Sequence, residues 1–485
     1  MSEWQVINDN TLQRDLKGAE FLINATEQHQ GGNYQLIFTV TLDTNIPHDR
    51  LRTRFGPAYL ALRRQYPLLG IEYAAEQLEK ASCKALQNSK EAKEWLKLST
   101  QTVHISTSDS VNNFGRRVAQ EPLKTPNRVC KTYLVLGPKQ GQAGLVLHTS
   151  HALTGHYSVR VMDTFAKLLA EEEFEKGIDA TFEPEDLKLL ASRLPGSLED
   201  AYKKKYKPSP DDISEELRKR QTIANSEQTP KLGIPVHRSF ANRRSLMQNL
   251  LVQFDKYESK RILSGIKRMG ISPTTAVFAS ILCATHKLFP GQNRGFKGCT
   301  LNFSTHASRY LPCEGQTGEP VVSMAIVPSA IWIPTKAQDF EKADSTVILK
   351  FAKIIAKEQD EFLKSPHSMA YASEIAQMLK SSPSAGTQET QIEKSNAVLT
   401  SQGPMPISYG HQNGANQIKI VDYNHFGRNT DPTVCFALYS VHASLRIATI
   451  SDEKFFEVAL VDKVLRTVGD IIRGLQVEVQ DSARL

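Results

Sequence analysis

The hydrophobic and polar positions of this chain alternate in two ways, one typical of buried strands and the other of amphipathic helices. In the first half, continuous apolar segments predict strands. These segments are residues 34–42, 129–136 and 143–148. Residues 47–66 carry their apolar side chains on roughly one helical face, which predicts a helix. Another helix is predicted from residue 159 onward, with Ser158 as its N-cap.

The second half of the chain repeats this mixture of patterns. The strands predicted there are residues 248–254, 300–303, 321–327, 418–422, 434–438 and 443–449. The helices predicted there are residues 257–268, 274–288, 339–362 and 453–475. Ser272 and Pro273 have the composition of an N-cap and first turn for the second of these helices. Because strands and helices alternate throughout, the predicted fold class is α/β, with mixed sheets flanked by helices.

The length of the chain predicts more than one structural unit. With 485 residues it exceeds a typical single domain, and 40% hydrophobic residues are enough to build two cores. Residues 1–194 are predicted to form an N-terminal lobe that carries the main candidate motif. Residues 195–245 are polar and charged and are predicted to connect the lobes, and residues 246–485 are predicted to form the C-terminal lobe.

Composition and charge exclude several classes of protein. The net charge of +7 is modest and diffuse, which argues against nucleic-acid binding but suits recruitment of a small anionic ligand. The six cysteines form no CxxC pair, so we expect free thiols and no zinc site. We find no apolar run of about 18 residues and no secretory signal pattern, so a cytoplasmic protein is expected.

The strongest candidate for chemistry lies where the predicted strand of residues 143–148 ends. The apolar run leads into a turn that carries His151, and a helix follows. An imidazole with an ordinary pKa of about 6.5, at a strand end with an apolar floor behind it and a turn in front, is suited to take a proton from a substrate. The alternative is that His151 is a hydrogen-bonded structural residue at a strand end.

The neighbouring histidines are interpreted differently. His148 is expected to face away from His151, because successive side chains of a strand point to opposite faces. This geometry argues against a zinc site formed by His148, His151 and His156. His425 and His442 are interpreted as strand or loop residues whose hydrogen bonds are satisfied.

Six segments, in this order along the chain, resemble motifs of the condensation-domain and HxxxD acyltransferase superfamily. They are residues 61–69, 147–158, 272–288, 302–312, 406–410 and 444–452. Residues 147–158 are similar to the HHxxxDG motif of that superfamily, with His151 at the second histidine. Within it, the chain most resembles fungal acyltransferases of the trichothecene 15-O-acetyltransferase type. The resemblance implies two chloramphenicol-acetyltransferase-like lobes with a central channel between them.

The resemblance also implies an activity and a set of site residues. His151 would be the general base that deprotonates a hydroxyl as it attacks a CoA-bound or carrier-bound thioester. His156 and Tyr157, which follow it, and Ser408 and Tyr409, in a loop similar to one that lines the family's channel, would bind substrate. Acyl-CoA would be a co-substrate, with no bound cofactor and no metal. The acceptor would be a small secondary metabolite, and the enzyme a monomer that binds neither nucleic acid nor membrane.

One position departs from the family. Gly155 stands where the family has an aspartate, which in the family is a structural brace held by an arginine. Arg309, in a segment similar to the family's N-x-R-x-x-L-P, is assigned with Gly155 to the structural motif. The change removes an ionic brace but leaves the base, so an alternative function stays open. It is a cofactor-free cyclase or isomerase of secondary metabolism on the same fold. A binding protein without catalytic activity is a third possibility.

Overall fold

Two mixed sheets flanked by helices form the core of the protein in the computed structural model, which confirms the predicted α/β class. The structure describes residues 3–74, 77–123, 129–152, 157–227, 229–237, 245–313, 315, 322, 326–340, 345–381 and 393–475. The strands are β1 Gln5–Asn8, β2 Thr11–Asp15, β3 Leu36–Thr44, β4 Ile71–Ala74, β5 Gln77–Lys84, β6 Thr100–His104, β7 Cys130–Leu136, β8 Gln142–Thr149, β9 Ile234–Pro235, β10 Met247–Gln253, β11 Gly298–His306, β12 Ile326–Pro334, β13 Lys394–Ser395, β14 Ala397–Pro404, β15 Gly410–Asn413, β16 Asn416–Gly427, β17 Val434–Val441 and β18 Ser444–Asp452.

The helices connect and cover these strands. They are α1 Ala19–His29, α2 His48–Gln65, α3 Ser89–Ser99, α4 Val111–Val118, α5 Ser158–Leu169, α6 Ile178–Thr181, α7 Leu187–Arg193, α8 Leu198–Tyr206, α9 Pro210–Glu227, α10 Lys256–Arg268, α11 Pro273–Leu288, α12 Ser345–Leu363, α13 Ser368–Ser381 and α14 Val458–Gly474. Short 3₁₀ helices lie at Pro67–Gly70, Glu172–Lys176, Ala307–Arg309 and Ala337–Phe340.

The sheet of the first lobe has the strand order β15-β16-β3-β8-β7-β6. Its central strands are antiparallel, and Phe38 of β3 lies opposite both Leu147 of β8 and His425 of β16. Directly opposed residues share a face of a sheet. One face packs on α2 and α5 in the main core of the lobe, and the other is covered by α4. A smaller antiparallel sheet, β1-β2-β5-β4, lies beside this core.

The sheet of the second lobe has the order β10-β18-β17-β14-β11-β12 and packs against α11, α12 and α14. The predicted start of α11 is confirmed. Ser272 accepts a hydrogen bond from the backbone N–H of Thr275, whose side chain in turn accepts from the Ser272 N–H, so the two form a capping box. Most residues of α11 are buried, which explains why its sequence is apolar all round.

The predicted lobe boundaries need two corrections. Gly410–Asn413 and Asn416–Gly427 come from the C-terminal part of the chain but belong to the sheet of the first lobe. The predicted connection contains α8 and α9, and Leu198 and Tyr202 of α8 are buried in the core of the second lobe. Sequence patterns alone do not show these arrangements, because they depend on which sheet edge a strand joins.

One local prediction differs from the structure, and another lies mostly outside the described residues. Ser158 is the first residue of α5 and does not cap it, since the N-cap position is occupied by Tyr157 and no side chain caps the helix. Most of the predicted strand at residues 321–327 lies outside the described residues, and β12 begins at Ile326.

Among the helices that the structure describes, none combines the length and the apolar composition that a bilayer crossing requires.

Candidate active site

His151 lies in the turn directly after β8, at the end of an apolar strand, as the sequence predicts. Its backbone N–H donates a hydrogen bond to Oε1 of Glu27, at 2.8 Å. The hydroxyl of Ser150 donates to the same oxygen at 3.0 Å and accepts from the N–H of Ala152 at 3.2 Å. A side chain from α1 therefore holds the backbone of the histidine turn.

The imidazole of His151 is only partly exposed and is surrounded by protein. Burial lowers the pKa of His151 to about 4, and proximity to its own backbone carbonyl opposes this shift weakly. Its Nδ1 is buried and meets no hydrogen-bond partner among the described residues. The ring is therefore neutral at pH 7, so it has a free lone pair with which to accept a proton.

A second imidazole, that of His425 on β16, lies close to His151. Its ring centroid is 4.9 Å from that of Tyr439, which belongs to the second lobe, and 6.3 Å from that of Phe38. Burial lowers the pKa of His425 to about 4, and a charge on His151 lowers it further. The Nδ1 of His425 is also buried and lacks a partner in the described part of the chain.

The interpretation of His425 as a satisfied strand residue is therefore wrong. A buried polar atom without a hydrogen bond is destabilising by about 1–3 kcal/mol, so such atoms in native proteins call for an explanation. Two of them occur here, on imidazoles that lie near enough to each other for the charge of His151 to lower the pKa of His425. The sequence does not show that β16 pairs with β3. Once that pairing is known, the alternation of side chains along β16 places His425 on the same face as Phe38.

His148 faces the opposite side of the sheet, which confirms the prediction from strand alternation. Its Nε2 forms a hydrogen bond with Oε1 of Gln35 at 3.1 Å. Burial, followed by the charges of Arg428 and Lys131, lowers the pKa of His148 to about 3. Within the described ranges, we find no group of three His, Cys, Asp or Glu side chains that is arranged to hold a metal ion.

Glu27, on the last turn of α1, is the site residue that the sequence did not indicate. It is 4% exposed, and burial raises the pKa of its carboxyl to about 8, although hydrogen bonds from Ser150, His151, Gln35 and Ala152 oppose this. The hydroxyls of Tyr73 and Ser150 are 3.0 Å apart, which extends the network to β4. No sequence motif marked α1, because its apolar pattern is weak.

The residues that follow His151 are described only in part. Gly155 and His156 lie outside the described residues. Tyr157 is 1% exposed, and its hydroxyl donates to the backbone carbonyl of Cys313 at 2.6 Å. This bond ties the start of α5 to the second lobe. The hydroxyl of Tyr157 therefore has a structural role, and substrate binding by Tyr157 stays a prediction.

The loop at Ser408 and Tyr409 is likewise engaged with protein. The N–H and the hydroxyl of Ser408 donate to the carboxylate of Asp163 on α5, at 2.8 and 3.0 Å. His411 is 3.3 Å from the same carboxylate. Tyr409 is 71% exposed and stacks on His442 with 4.1 Å between ring centroids. No described contact joins either side chain to His151, and their role in binding substrate stays a prediction.

Arg309 is exposed on its 3₁₀ helix and has no acidic partner among the described residues. It lines a cavity of about 420 Å³, together with Lys205 and His306. Cys313, whose carbonyl accepts from Tyr157, also lines this cavity. Arg309 thus faces an open, basic pocket, whereas the sequence assigned it to a structural motif.

Comparisons with known proteins agree on the fold. No protein-family model matches the chain. It is similar to the acyl-CoA-dependent acyltransferase MAC2 of Pseudozyma antarctica, with 25% identity over 99% of this chain and 98% of that protein. It is also similar to the acyl-CoA-dependent acyltransferase MAC1 of Mycosarcoma maydis, with 20% identity over 96% of this chain and 88% of that protein.

Solved structures extend this similarity. The TRI3 trichothecene 15-O-acetyltransferase of Fusarium sporotrichioides aligns with a TM-score of 0.79 and 14% identity, over 98% of both chains. The first condensation domain of the calcium-dependent antibiotic synthetase aligns with a TM-score of 0.63 and 10% identity, over 96% of this chain and 97% of that one. The chain has the two-lobed fold shared by chloramphenicol-acetyltransferase-like proteins and condensation domains, as its motifs indicated.

Proposed function

We propose that this protein is an O-acyltransferase that moves an acyl group from a CoA thioester to a hydroxyl of a small secondary metabolite, with His151 as general base. The observation that carries the proposal is the place of the His151 imidazole, partly exposed in the turn that ends β8. Burial keeps this imidazole neutral, and His425 lies near it. The names of the full-length relatives, both acyl-CoA-dependent acyltransferases, support the reaction class. The proposal retains the expectation of a monomer in the cytoplasm.

The reaction would proceed by direct attack. His151 accepts the proton of the acceptor hydroxyl as its oxygen forms a bond to the thioester carbonyl carbon, and the carbonyl electron pair moves to oxygen. The intermediate then expels the CoA sulfur, which takes the proton back from His151. A positioned base of this kind contributes about 10²–10⁴-fold in rate.

The low pKa of His151 has a consequence for this step. In the empty site, burial disfavours the imidazolium, so His151 is present as the free base. During the attack, negative charge develops on the carbonyl oxygen, and an imidazolium beside that charge is stabilised in a site shielded from water. His425, neutral for the same reason, would supply an N–H donor to this oxyanion.

The test compares two histidine variants. His151→Ala is expected to lower acyl transfer by about 10²-fold or more, because the base is lost. His104→Ala is the matched control, since His104 is exposed on β6 and contacts only Arg52 among the side chains described. Product formation from acetyl-CoA and a panel of hydroxylated metabolites is followed by mass spectrometry, and circular dichroism verifies folding. Undiminished turnover by a folded His151→Ala protein would reject the proposal.

The same experiment separates the cyclase or isomerase alternative. An acyltransferase binds CoA in calorimetry and consumes acceptor only when the thioester is present. Consumption of a metabolite without thioester, together with no detectable CoA binding, would favour the alternative function on this fold.

A further inference from the structure

Glu27 presents a buried carboxyl to the histidine turn. Its Oε1 accepts two hydrogen bonds, one from the backbone N–H of His151 at 2.8 Å and one from the hydroxyl of Ser150 at 3.0 Å. The Ser150 hydroxyl is also bonded to that of Tyr73. Helix α1 and strand β4 are far from this turn in the sequence. Their side chains therefore meet at Ser150 and His151, the second of which is the candidate base.

Burial of an acidic side chain at this position is energetically unfavourable. Glu27 is 4% exposed, and no Lys or Arg forms an ion pair with it among the residues that the structure describes. Glu20, on the same helix, is by contrast ion-paired with Arg14 of β2. Burial of an unpaired acid is unfavourable unless hydrogen bonds compensate it, and here the compensating donors are those of the histidine turn.

The carboxyl of Glu27 holds the backbone of His151 directly, whereas Val129 holds that of Ser150. The Nδ1 of His151 has no hydrogen-bond partner in the described part of the chain, so the bond from its backbone to Glu27 is an important constraint on its position. The motif that residues 147–158 resemble has an aspartate where the present chain has Gly155.

We propose that Glu27 is the positioning residue of His151, and that it fixes the base from α1 in a chain whose motif lacks the aspartate. The inference rests on the proposed role of His151 as general base. Glu27 lies more than a hundred positions before the histidine turn that it would brace.

The first test uses three substitutions. Glu27→Met removes both acceptor oxygens at similar size, Glu27→Gln keeps one oxygen at the position of Oε1, and Gln28→Met places the same new side chain at an exposed neighbour. Glu27→Met is expected to lower kcat by about 10–100-fold with KM changed less than about threefold, because a small displacement of a reacting group has such an effect. Glu27→Gln is expected to retain most of kcat, and Gln28→Met all of it.

A second readout distinguishes positioning from general stability. The carboxyl of Glu27 ionises near pH 8, so the rate of the wild-type protein is expected to change across that pH and the rate of Glu27→Gln is not. Tyr73, Ser150 and Gln35 face this carboxyl, and the hydroxyl of Tyr73 titrates well above the range used because burial raises its pKa. Melting temperatures measured alongside report any loss of folded protein.

The ring of His151 can also be observed without turnover. In protein with ¹³C-labelled histidine, Glu27→Met is expected to shift the Cε1–H resonance of His151, which is assigned with His151→Ala, and Glu27→Gln is expected to shift it less. If Glu27→Met does not fold, Ser150→Ala removes one of the two bonds and is expected to give a smaller loss of kcat. A folded Glu27→Met protein with wild-type kcat and an unshifted resonance would overturn the inference. A shifted resonance with turnover that survives His151→Ala would instead reject the proposed function and leave only the structural part of the inference, that Glu27 orients the histidine turn.

Discussion

The rate of this enzyme should fall far less in acid than expected for a catalytic histidine with an ordinary pKa. A solvent-exposed histidine has a pKa of about 6.5, so its neutral fraction falls about tenfold between pH 7.5 and pH 5.5. Burial lowers the pKa of His151 to about 4, so nearly all of it stays neutral over the same range. Because kcat/KM reports the free enzyme, its acid limb is expected near pH 4 and not near pH 6.5.

Two measurements check this expectation on the same protein. The initial rate of product formation is followed by mass spectrometry between pH 4.5 and 8, with His104→Ala as the control for other histidines. The Cε1–H resonance of His151 is titrated over the same range, and circular dichroism excludes acid unfolding. If the rate falls and the resonance titrates near pH 6.5, the ring is solvated. That result would refute the argument from burial.

The same pKa shift couples His151 to folding. The unfolded chain binds a proton at His151 below about pH 6.5, whereas the native chain does so only below about 4. Stability is therefore lost as pH falls from about 6.5 toward 4, with a slope of up to about 1.4 kcal/mol per pH unit. His148 and His425 add slopes of the same sign, while Glu27, which the native state keeps protonated up to about pH 8, opposes them.

Two further substitutions test the surroundings of the base. His425→Phe keeps the ring contact with Tyr439 but removes the imidazole. We expect kcat to fall about 10-fold or more while the melting temperature is kept. An unchanged kcat would exclude His425 as an oxyanion donor. Tyr157→Phe removes the hydrogen bond to the Cys313 carbonyl and is expected to lower the free energy of unfolding by about 1 kcal/mol with KM unchanged, as followed by urea titration and initial rates. A raised KM with unchanged stability would return Tyr157 to the substrate site.

Much of the fold follows from local patterns in the sequence. The predicted strands at residues 34–42 and 143–148 and the helix at residues 47–66 correspond to β3, β8 and α2 within a few residues. These segments have contiguous or helically spaced apolar residues, and burial on one face is what such patterns record. The opposite orientation of His148 and His151 followed from strand alternation alone.

The composition of the site did not follow from the sequence in the same way. Glu27 lies in a helix whose pattern is weak, and His425 lies in a strand that reaches the first lobe only because β16 pairs with β3. Neither residue belongs to a motif, so local spacing gave no signal for either. Conversely, Ser408 and Tyr409 lie in a recognisable motif, yet their contacts are with Asp163 and His442.

The sequence by itself determined that an imidazole would stand at the end of a buried strand in a two-lobed α/β protein. Only the tertiary structure decided that this imidazole is neutral, that a second one stands beside it, and that a glutamate from α1 holds its backbone. The physical reason is that hydrogen bonding and desolvation depend on which groups surround an atom in space. Those groups come from segments far apart in the chain, so their meeting is a property of the packed fold.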